Sequence, residues 1–139
     1  MFIYEIGAIT CHYRNQEFEK ATTWRNQIDK WAKDNCIKTF NPNLTYQIEV
    51  NHSYDPKMCL AQNDYYIRKC DIAVVNMHDI ESSPGSIYEL TRFKEMRKPV
   101  IGFGEKHWSP HLNSCISHQC DSLDEVLELI SNMFSQGNF

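Results

Sequence analysis

The sequence has no excess of basic residues, no long apolar run and few glycines. Its 139 residues carry 14 Lys and Arg against 18 Asp and Glu, a net charge of −4 at pH 7, whereas nucleic-acid binders normally present a basic face. No apolar stretch approaches the roughly 20 residues of a membrane-spanning helix. The five glycines form neither G-x-G-x-x-G nor a Walker loop. The sequence therefore predicts no nucleic-acid partner, no membrane partner and no dinucleotide or ATP cofactor.

The six cysteines include no C-x-x-C pair, and the first ten residues lack the basic segment and cleavage site of a signal peptide. Reduced thiols are the default for such a chain, so we predict a cytoplasmic protein. Cys115 and Cys120 lie close to His111 and His118 in the sequence, which raises the question of zinc. Structural zinc sites usually show paired C-x₂₋₄-C or H-x₃₋₅-H ligands, so we predict no metal.

Short apolar segments alternate along the chain with segments that have helical periodicity. The predicted strands are 2–9, 36–42, 71–77, 98–104 and 115–120. The predicted helices are 17–35, 56–70, 85–97 and 122–134, with a polar loop at 43–55. Such alternation predicts a parallel sheet covered by helices on both faces. We therefore expect one domain, residues 1–139, with an α/β fold: a flavodoxin-like or Rossmann-like three-layer sandwich of about five strands.

In folds of this class, ligands bind beyond the carboxyl ends of the strands, near the switch in strand order. The residues predicted to gather there are Tyr4, Gly7, Ala8, Asn76, Ser83, Gly85 and Glu89. Glu89 lies in the first turn of the predicted helix 85–97, where unpaired N–H groups and the helix dipole favour an ionised carboxylate. Such a carboxylate is either a nucleophile or a surface residue that complements the dipole. No serine lies in a nucleophile elbow, which argues against a Ser-His-Asp mechanism.

Four motifs follow one another along nearly the whole chain. They are YxxGAIT at 4–10, RKCDIAVVNM at 68–77, SSPGSIYEL at 82–90 and RKPVIGF at 97–103. This series resembles the nucleoside 2-deoxyribosyltransferase superfamily, which includes nucleoside 5′-monophosphate N-glycosidases. The resemblance implies that Glu89 attacks the anomeric carbon of a nucleoside and forms a glycosyl-enzyme, which water or a second base then resolves. It also implies that the Tyr4 hydroxyl orients the nucleophile, although Tyr4 could instead be a core aromatic.

Two positions bear on the substrate that the resemblance implies. Ser83 matches the position that reads the 5′ end of the sugar, where a serine favours a phosphate and an aspartate favours a free hydroxyl. Ser83 could also be a turn or helix-cap residue. Asn113 matches a residue that family members donate to the neighbouring subunit's site, and asparagine there is typical of the transferases. We therefore expect a small-molecule substrate, either a nucleoside or a nucleotide, and a homodimer or larger homo-oligomer. Hydrolysis of the substrate and exchange of its base are the two alternative reactions.

The chain departs from the family at the residue that handles the proton on the leaving base. The family's aspartate, eight residues before Asp71, is replaced by Asn63, with Asp64 next to it. Asn63 can hydrogen-bond a base but cannot protonate it, whereas a shift in the helix would bring in Asp64. A non-catalytic nucleotide-binding module therefore remains the alternative. Three aromatic residues in predicted loops could stack on a base or anchor their loops: His52, Tyr54 and Trp108.

Overall fold

A five-stranded parallel sheet with helices on both faces forms the framework of the protein. The structure, a computed structural model, describes residues 1–46 and 55–134. The strands are β1 (Phe2–Ile6), β2 (Lys38–Phe40), β3 (Ile72–Asn76), β4 (Val100–Phe103) and β5 (His118–Cys120). The helices are α1 (Thr10–Arg14), α2 (Phe18–Asp34), α3 (Pro42–Tyr46), α4 (Pro56–Lys69), α5 (Pro84–Glu95), α6 (Pro110–Asn113) and α7 (Leu123–Phe134).

The strand order of the sheet is β2-β1-β3-β4-β5, and each neighbouring pair is parallel. This is the flavodoxin-like order, in which the chain changes direction across the sheet between β1 and β3. The α/β sandwich predicted from the sequence is thus confirmed. The segments that leave β1 and β3 start side by side at the carboxyl end of the sheet, where a ligand site is expected.

Successive side chains of each strand point to opposite faces, so the sheet separates two cores. One core contains Tyr4 and Ile6 of β1 together with Leu90 and Phe93 of α5. The other contains Ile3 of β1 with residues of α2 and α7, which are Trp24, Ile28, Leu123, Val126, Leu127 and Ile130. Because of this alternation, β1 sends Tyr4 towards α5 and the next residue, Glu5, towards α2.

The predicted elements are all present, with shorter strands than the sequence indicated. The first strand ends at Ile6, because helix α1 begins at Thr10 and the intervening residues turn away from the sheet. The predicted loop 43–55 was partly wrong, since helix α3 occupies its start and residues 47–54 lie outside the described residues. The short helices α1, α3 and α6 were not predicted, because four or five residues are too few to show helical periodicity.

The described part of the chain has neither a membrane-spanning helix nor a metal-binding group of side chains. None of its helices is long and apolar enough to cross a membrane. Within residues 1–46 and 55–134, no group of three His, Cys, Asp or Glu side chains is placed to hold a metal ion. Cys115 and Cys120 are free thiols, and Cys120 is buried in the sheet whereas His118 is exposed.

Candidate functional site

A cavity of about 210 Å³ lies at the carboxyl end of the sheet, beside the switch between β1 and β3. Its walls come from the segment after β1, from α2, α3 and α4, and from the start of α5. Five of the residues predicted from the sequence line it: Gly7, Asn63, Ser83, Gly85 and Glu89. Lining residues that the sequence interpretation missed include Glu5, Arg25, Tyr46 and Ser86.

Glu89 reaches the cavity from the second turn of α5. The helix begins at Pro84 with Ser83 as its N-cap, and no acidic residue lies in its first turn. The prediction that first-turn N–H groups favour the ionised Glu89 was therefore wrong: Glu89 is the sixth residue of α5, and even from the predicted start at Gly85 it would be the fifth, beyond the 3.6 residues of one turn. Burial raises the pKa of Glu89 from 4.5 to about 7; the Tyr4 hydroxyl and the Arg25 guanidinium oppose this rise.

Tyr4 is fully buried in the core between Phe40 and Phe93, and it does not line the cavity itself. Tyr4 Oη and Glu89 Oε2 are both buried, and neither makes a hydrogen bond of standard geometry. The two groups are nevertheless coupled, because burial and the nearby Glu89 raise the pKa of Tyr4 well above its ordinary value. Tyr4 is thus both a core aromatic and a neutral hydroxyl group beside Glu89, and the two interpretations coexist.

Two buried polar residues, Arg25 and Glu5, line the cavity on its α2 side, and the half-buried Asp29 completes a polar cluster with them. Arg25 Nη1 donates to the Ala21 carbonyl at 2.7 Å, and Nη2 donates to the Gly7 carbonyl at 3.0 Å. Arg25 Nε lies 3.9 Å from Glu5 Oε2. Burial lowers the pKa of Arg25 to about 10, and Glu5 and Glu89 oppose that change. The guanidinium therefore remains charged at neutral pH.

The start of α5 presents small and polar groups to the cavity. Ser83 Oγ lies 2.8 Å from Ser86 Oγ and accepts a long hydrogen bond of 3.4 Å from the Ser86 N–H. A Cβ added to Gly85 would meet no atom within 4 Å, so the space beside this residue is open. At Gly7, in contrast, an added Cβ would approach Trp24 Cζ2 to 2.8 Å. Gly7 thus permits close packing of α2, whereas Gly85 leaves room for a ligand.

Asn63 and Asp64 point in different directions from α4. Asn63 lines the cavity, and its Oδ1 accepts a hydrogen bond of 2.6 Å from the Tyr46 hydroxyl. Asp64 lies away from the cavity lining, where it accepts a hydrogen bond of 2.8 Å from Tyr88 and has Arg92 Nε at 4.0 Å. An amide therefore occupies the position where the family resemblance leads us to expect a carboxylic acid.

The remaining predicted residues lie outside the cavity lining. Ala8 is buried in the segment that follows β1, and Asn76 Oδ1 accepts a hydrogen bond of 3.0 Å from the His78 N–H. Asn113 Nδ2 donates to the His107 carbonyl within the same chain. Trp108 is exposed beside a second cavity, between the loops after β3 and β4. The other two aromatic residues considered above, His52 and Tyr54, lie outside the described residues.

The position of Arg25 in the sequence already indicates that its side chain is buried. Ala21, Arg25, Ile28 and Ala32 recur at spacings of four, three and four, and all are buried. Arg25 thus lies within the apolar stripe of α2, where a charged side chain is rare unless it is paired. An arginine in such a stripe indicates a buried polar partner, which in this protein is contributed by β1.

The fold is similar to two solved structures. A conserved protein from Enterococcus faecalis V583 superposes with a TM-score of 0.67 at 16% identity, covering 95% of this chain and 98% of that one. A CMP N-glycosidase from Clostridium botulinum superposes with a TM-score of 0.59 at 12% identity, covering 95% and 99%. No protein-family model and no curated protein sequence matches this chain. At these identities the likeness extends to the fold alone, an α/β fold of the kind that an N-glycosidase also adopts.

Proposed function

We propose that the protein cleaves the N-glycosidic bond of a nucleoside or nucleoside 5′-monophosphate, with Glu89 as the nucleophile. The observation that carries this proposal is a buried Glu89 carboxylate that faces the cavity at the switch between β1 and β3. A buried carboxylate beside a neutral tyrosine hydroxyl is suited to attack an electron-poor carbon, because few water molecules compete for its charge. The fold likeness to a CMP N-glycosidase supports the same class of reaction.

In the proposed reaction, an oxygen of Glu89 forms a bond to the anomeric carbon. The bond from that carbon to the base nitrogen breaks, and its electron pair leaves with the base. Water or a second base then attacks the anomeric carbon, which breaks the bond to Glu89 and restores the original configuration, and the proton lost by the attacking group goes to the base anion that left in the first step. The Asn63 amide hydrogen-bonds the departing base without protonating it. The Tyr4 hydroxyl keeps the Glu89 carboxylate oriented during both steps.

The start of α5 favours a substrate with an anionic 5′ group. A helix N-terminus attracts a phosphate, and the Ser83 and Ser86 hydroxyl groups line the cavity at that point. The cavity volume of about 210 Å³ is below the roughly 300–1,000 Å³ of sites that enclose drug-sized ligands. A cavity of this volume matches the sugar and its nearest groups better than a whole nucleotide, so the proposed substrate would extend beyond the described walls.

The first test is base release from a panel of ribonucleosides, deoxyribonucleosides and their 5′-monophosphates, each with and without a second free base. Free base from the monophosphates alone would identify hydrolysis of a nucleotide. A new nucleoside that forms only with the added base would identify a transferase. Glu89→Gln should abolish either activity, and Glu95→Gln, at the far end of the same helix, is the matched control. Undiminished base release by Glu89→Gln would exclude the proposed nucleophile.

A non-catalytic nucleotide-binding module is the second candidate, and the orientation of Asp64 favours it. Asp64 is engaged by Tyr88 and Arg92, so the cavity has the Asn63 amide where a proton donor is expected. General acid catalysis is typically worth about 10²–10⁴-fold. If a nucleotide raises the melting temperature but the panel yields no free base, this second candidate is the correct one.

We also propose a homo-oligomer in which Asn113 contributes to the neighbouring site. The proposal depends on the family resemblance, and Asn113 is bonded to its own chain at His107. Mixing inactive Glu89→Gln with Asn113→Ala would restore base release if each site combines residues of two subunits. Light scattering of the wild type supplies the subunit number, and a monomer would refute shared sites.

A further inference from the structure

The cluster of Arg25, Glu5 and Asp29 has no role in the reaction steps described above. Arg25 and Glu5 are both fully buried, and both adjoin the cavity. Removing a cation and a carboxyl group from water is unfavourable, and truncating one member of such a pair leaves an uncompensated group. Arg25 of this cluster also lowers the pKa of Glu89, so its charge bears on the ionisation of that residue.

The contact between Arg25 and Glu5 is too long for a tight ion pair. The separation of 3.9 Å between Arg25 Nε and Glu5 Oε2 exceeds the about 2.7–2.9 Å of a charge-assisted hydrogen bond. Neither oxygen of Glu5 nor Arg25 Nε makes a hydrogen bond of standard geometry. The terminal nitrogens of Arg25 are held by the Ala21 and Gly7 carbonyls instead. The guanidinium is thus fixed by two backbone carbonyls and not by a close ion pair with Glu5.

Burial and the neighbouring Asp29 both disfavour an ionised Glu5. Each carboxylate oxygen of Asp29 accepts a hydrogen bond, one from Thr39 Oγ1 at 2.6 Å and one from Asn41 Nδ2 at 2.8 Å. Neither oxygen of Glu5 accepts a hydrogen bond from a described residue that would favour its charged form. Burial and the neighbouring Asp29 raise the pKa of Glu5 well above its ordinary value, and Arg25 offsets only part of that rise.

We propose that Arg25 is a positioning residue for Glu89: its buried guanidinium, held by two backbone carbonyls and 3.9 Å from the nearest Glu5 oxygen, keeps a positive charge that favours ionised Glu89. A role in catalysis rests on the proposed function, whereas the electrostatic effect of Arg25 on Glu89 does not. Among the described residues, the groups that interact electrostatically with Glu89 are Tyr4 of β1, Arg25 of α2, Tyr46 of α3 and Asp64 of α4. Arg25 is the cation among these groups, and the charge of Asp64 acts in the opposite direction.

The experiment is a carbon-13 NMR titration of the Glu89 carboxyl group in the intact chain without substrate, with the signal assigned by its loss in Glu89→Gln. The wild-type midpoint should lie at about 7. Arg25→Met should move it upward by about one to three pH units, because an opposite charge at close range has been removed. Arg25→Lys keeps a charge and should move it less. Glu5→Gln imitates a protonated Glu5 and should leave the midpoint unchanged.

A downward move in Glu5→Gln would overturn the proposal, because it would mean that ionised Glu5 neutralises Arg25 in the wild type. An unchanged midpoint in folded Arg25→Met would overturn it as well. If Arg25→Met does not fold, the titration of Glu89 in Glu5→Gln still shows whether Glu5 neutralises Arg25 in the wild type.

Base release provides a second readout. In Arg25→Met it should fall at least about fivefold at pH 7 and recover at higher pH, whereas a merely structural role would lower it at every pH. If the wild type releases no base, the proposed function fails while the NMR titration still tests Arg25.

Discussion

Replacing Glu89 by glutamine should stabilise the protein, and the gain should depend on pH. Glu89 has a pKa of about 7 in the folded chain and an ordinary value of 4.5. Since one pKa unit corresponds to about 1.4 kcal/mol, ionised Glu89 destabilises the folded state by about 3 kcal/mol. Folded Glu89 binds its proton more tightly than the unfolded chain does. The stability that this proton contributes to the folded state is therefore fully present below about pH 4.5, and it is lost as the pH rises through about 7.

The assay is urea unfolding of the wild type and Glu89→Gln at several values between about pH 4 and pH 8. The difference in unfolding free energy should change by about 3 kcal/mol across that range, in favour of the variant at high pH. In melting temperature this corresponds to about 10 °C for a domain of this size. Glu128→Gln, on the exposed face of α7, is the control and should show no such trend. If the difference in unfolding free energy between the wild type and Glu89→Gln stays constant within about 0.5 kcal/mol over this pH range, Glu89 is not a buried group with a raised pKa.

Three substitutions test other residues in or beside the cavity. Tyr4→Phe should lower the rate of base release about 10- to 100-fold, and the rate should rise with pH at a higher pH than in the wild type, because the hydroxyl that lowers the pKa of Glu89 is lost. A pH–rate profile measures both effects. Ser83→Asp should reduce the kcat/KM ratio of 5′-monophosphate to nucleoside at least about tenfold, since a carboxylate repels phosphate; an unchanged ratio would make Ser83 a helix cap only. Asn63→Asp should raise base release at least about tenfold if protonation of the base limits the rate, and single-turnover rates with purine and pyrimidine substrates would check this.

Much of the fold could be predicted from the sequence because its strands are strongly apolar. The run Ile72–Val75 is buried on both faces of the sheet, as parallel strands require, and helices α2 and α7 have clear apolar stripes. The position of a site at the ends of β1 and β3 follows from the parallel topology alone. The element boundaries were predicted less accurately, although a start of α5 at Pro84 or at Gly85 places Glu89 in the second turn in either case.

The electrostatic environment of the site could not be predicted, because it depends on contacts between distant residues. Asn63 and Asp64 are adjacent in sequence, and only the rotation of α4 on the sheet decides which one lines the cavity. Glu5 is far along the chain from Arg25 and Asp29, and the packing of α2 against β1 brings it to both of them. Spacing in the sequence indicates which residues share a helix face, but it does not reveal which faces meet.

The second-turn position of Glu89 has a consequence for how charge is distributed in the site. A carboxylate in the first turn would compete with an anionic substrate for the same N–H groups, because both are favoured by the same end of the helix. In this protein the first turn of α5 presents Gly85 and Ser86 to the cavity, which leaves that end of the helix available to the substrate. Glu89 must then be kept ionised by another source of positive charge, which we infer to be Arg25. Two anions, one from the protein and one from the substrate, can therefore occupy the same small cavity with separate partners.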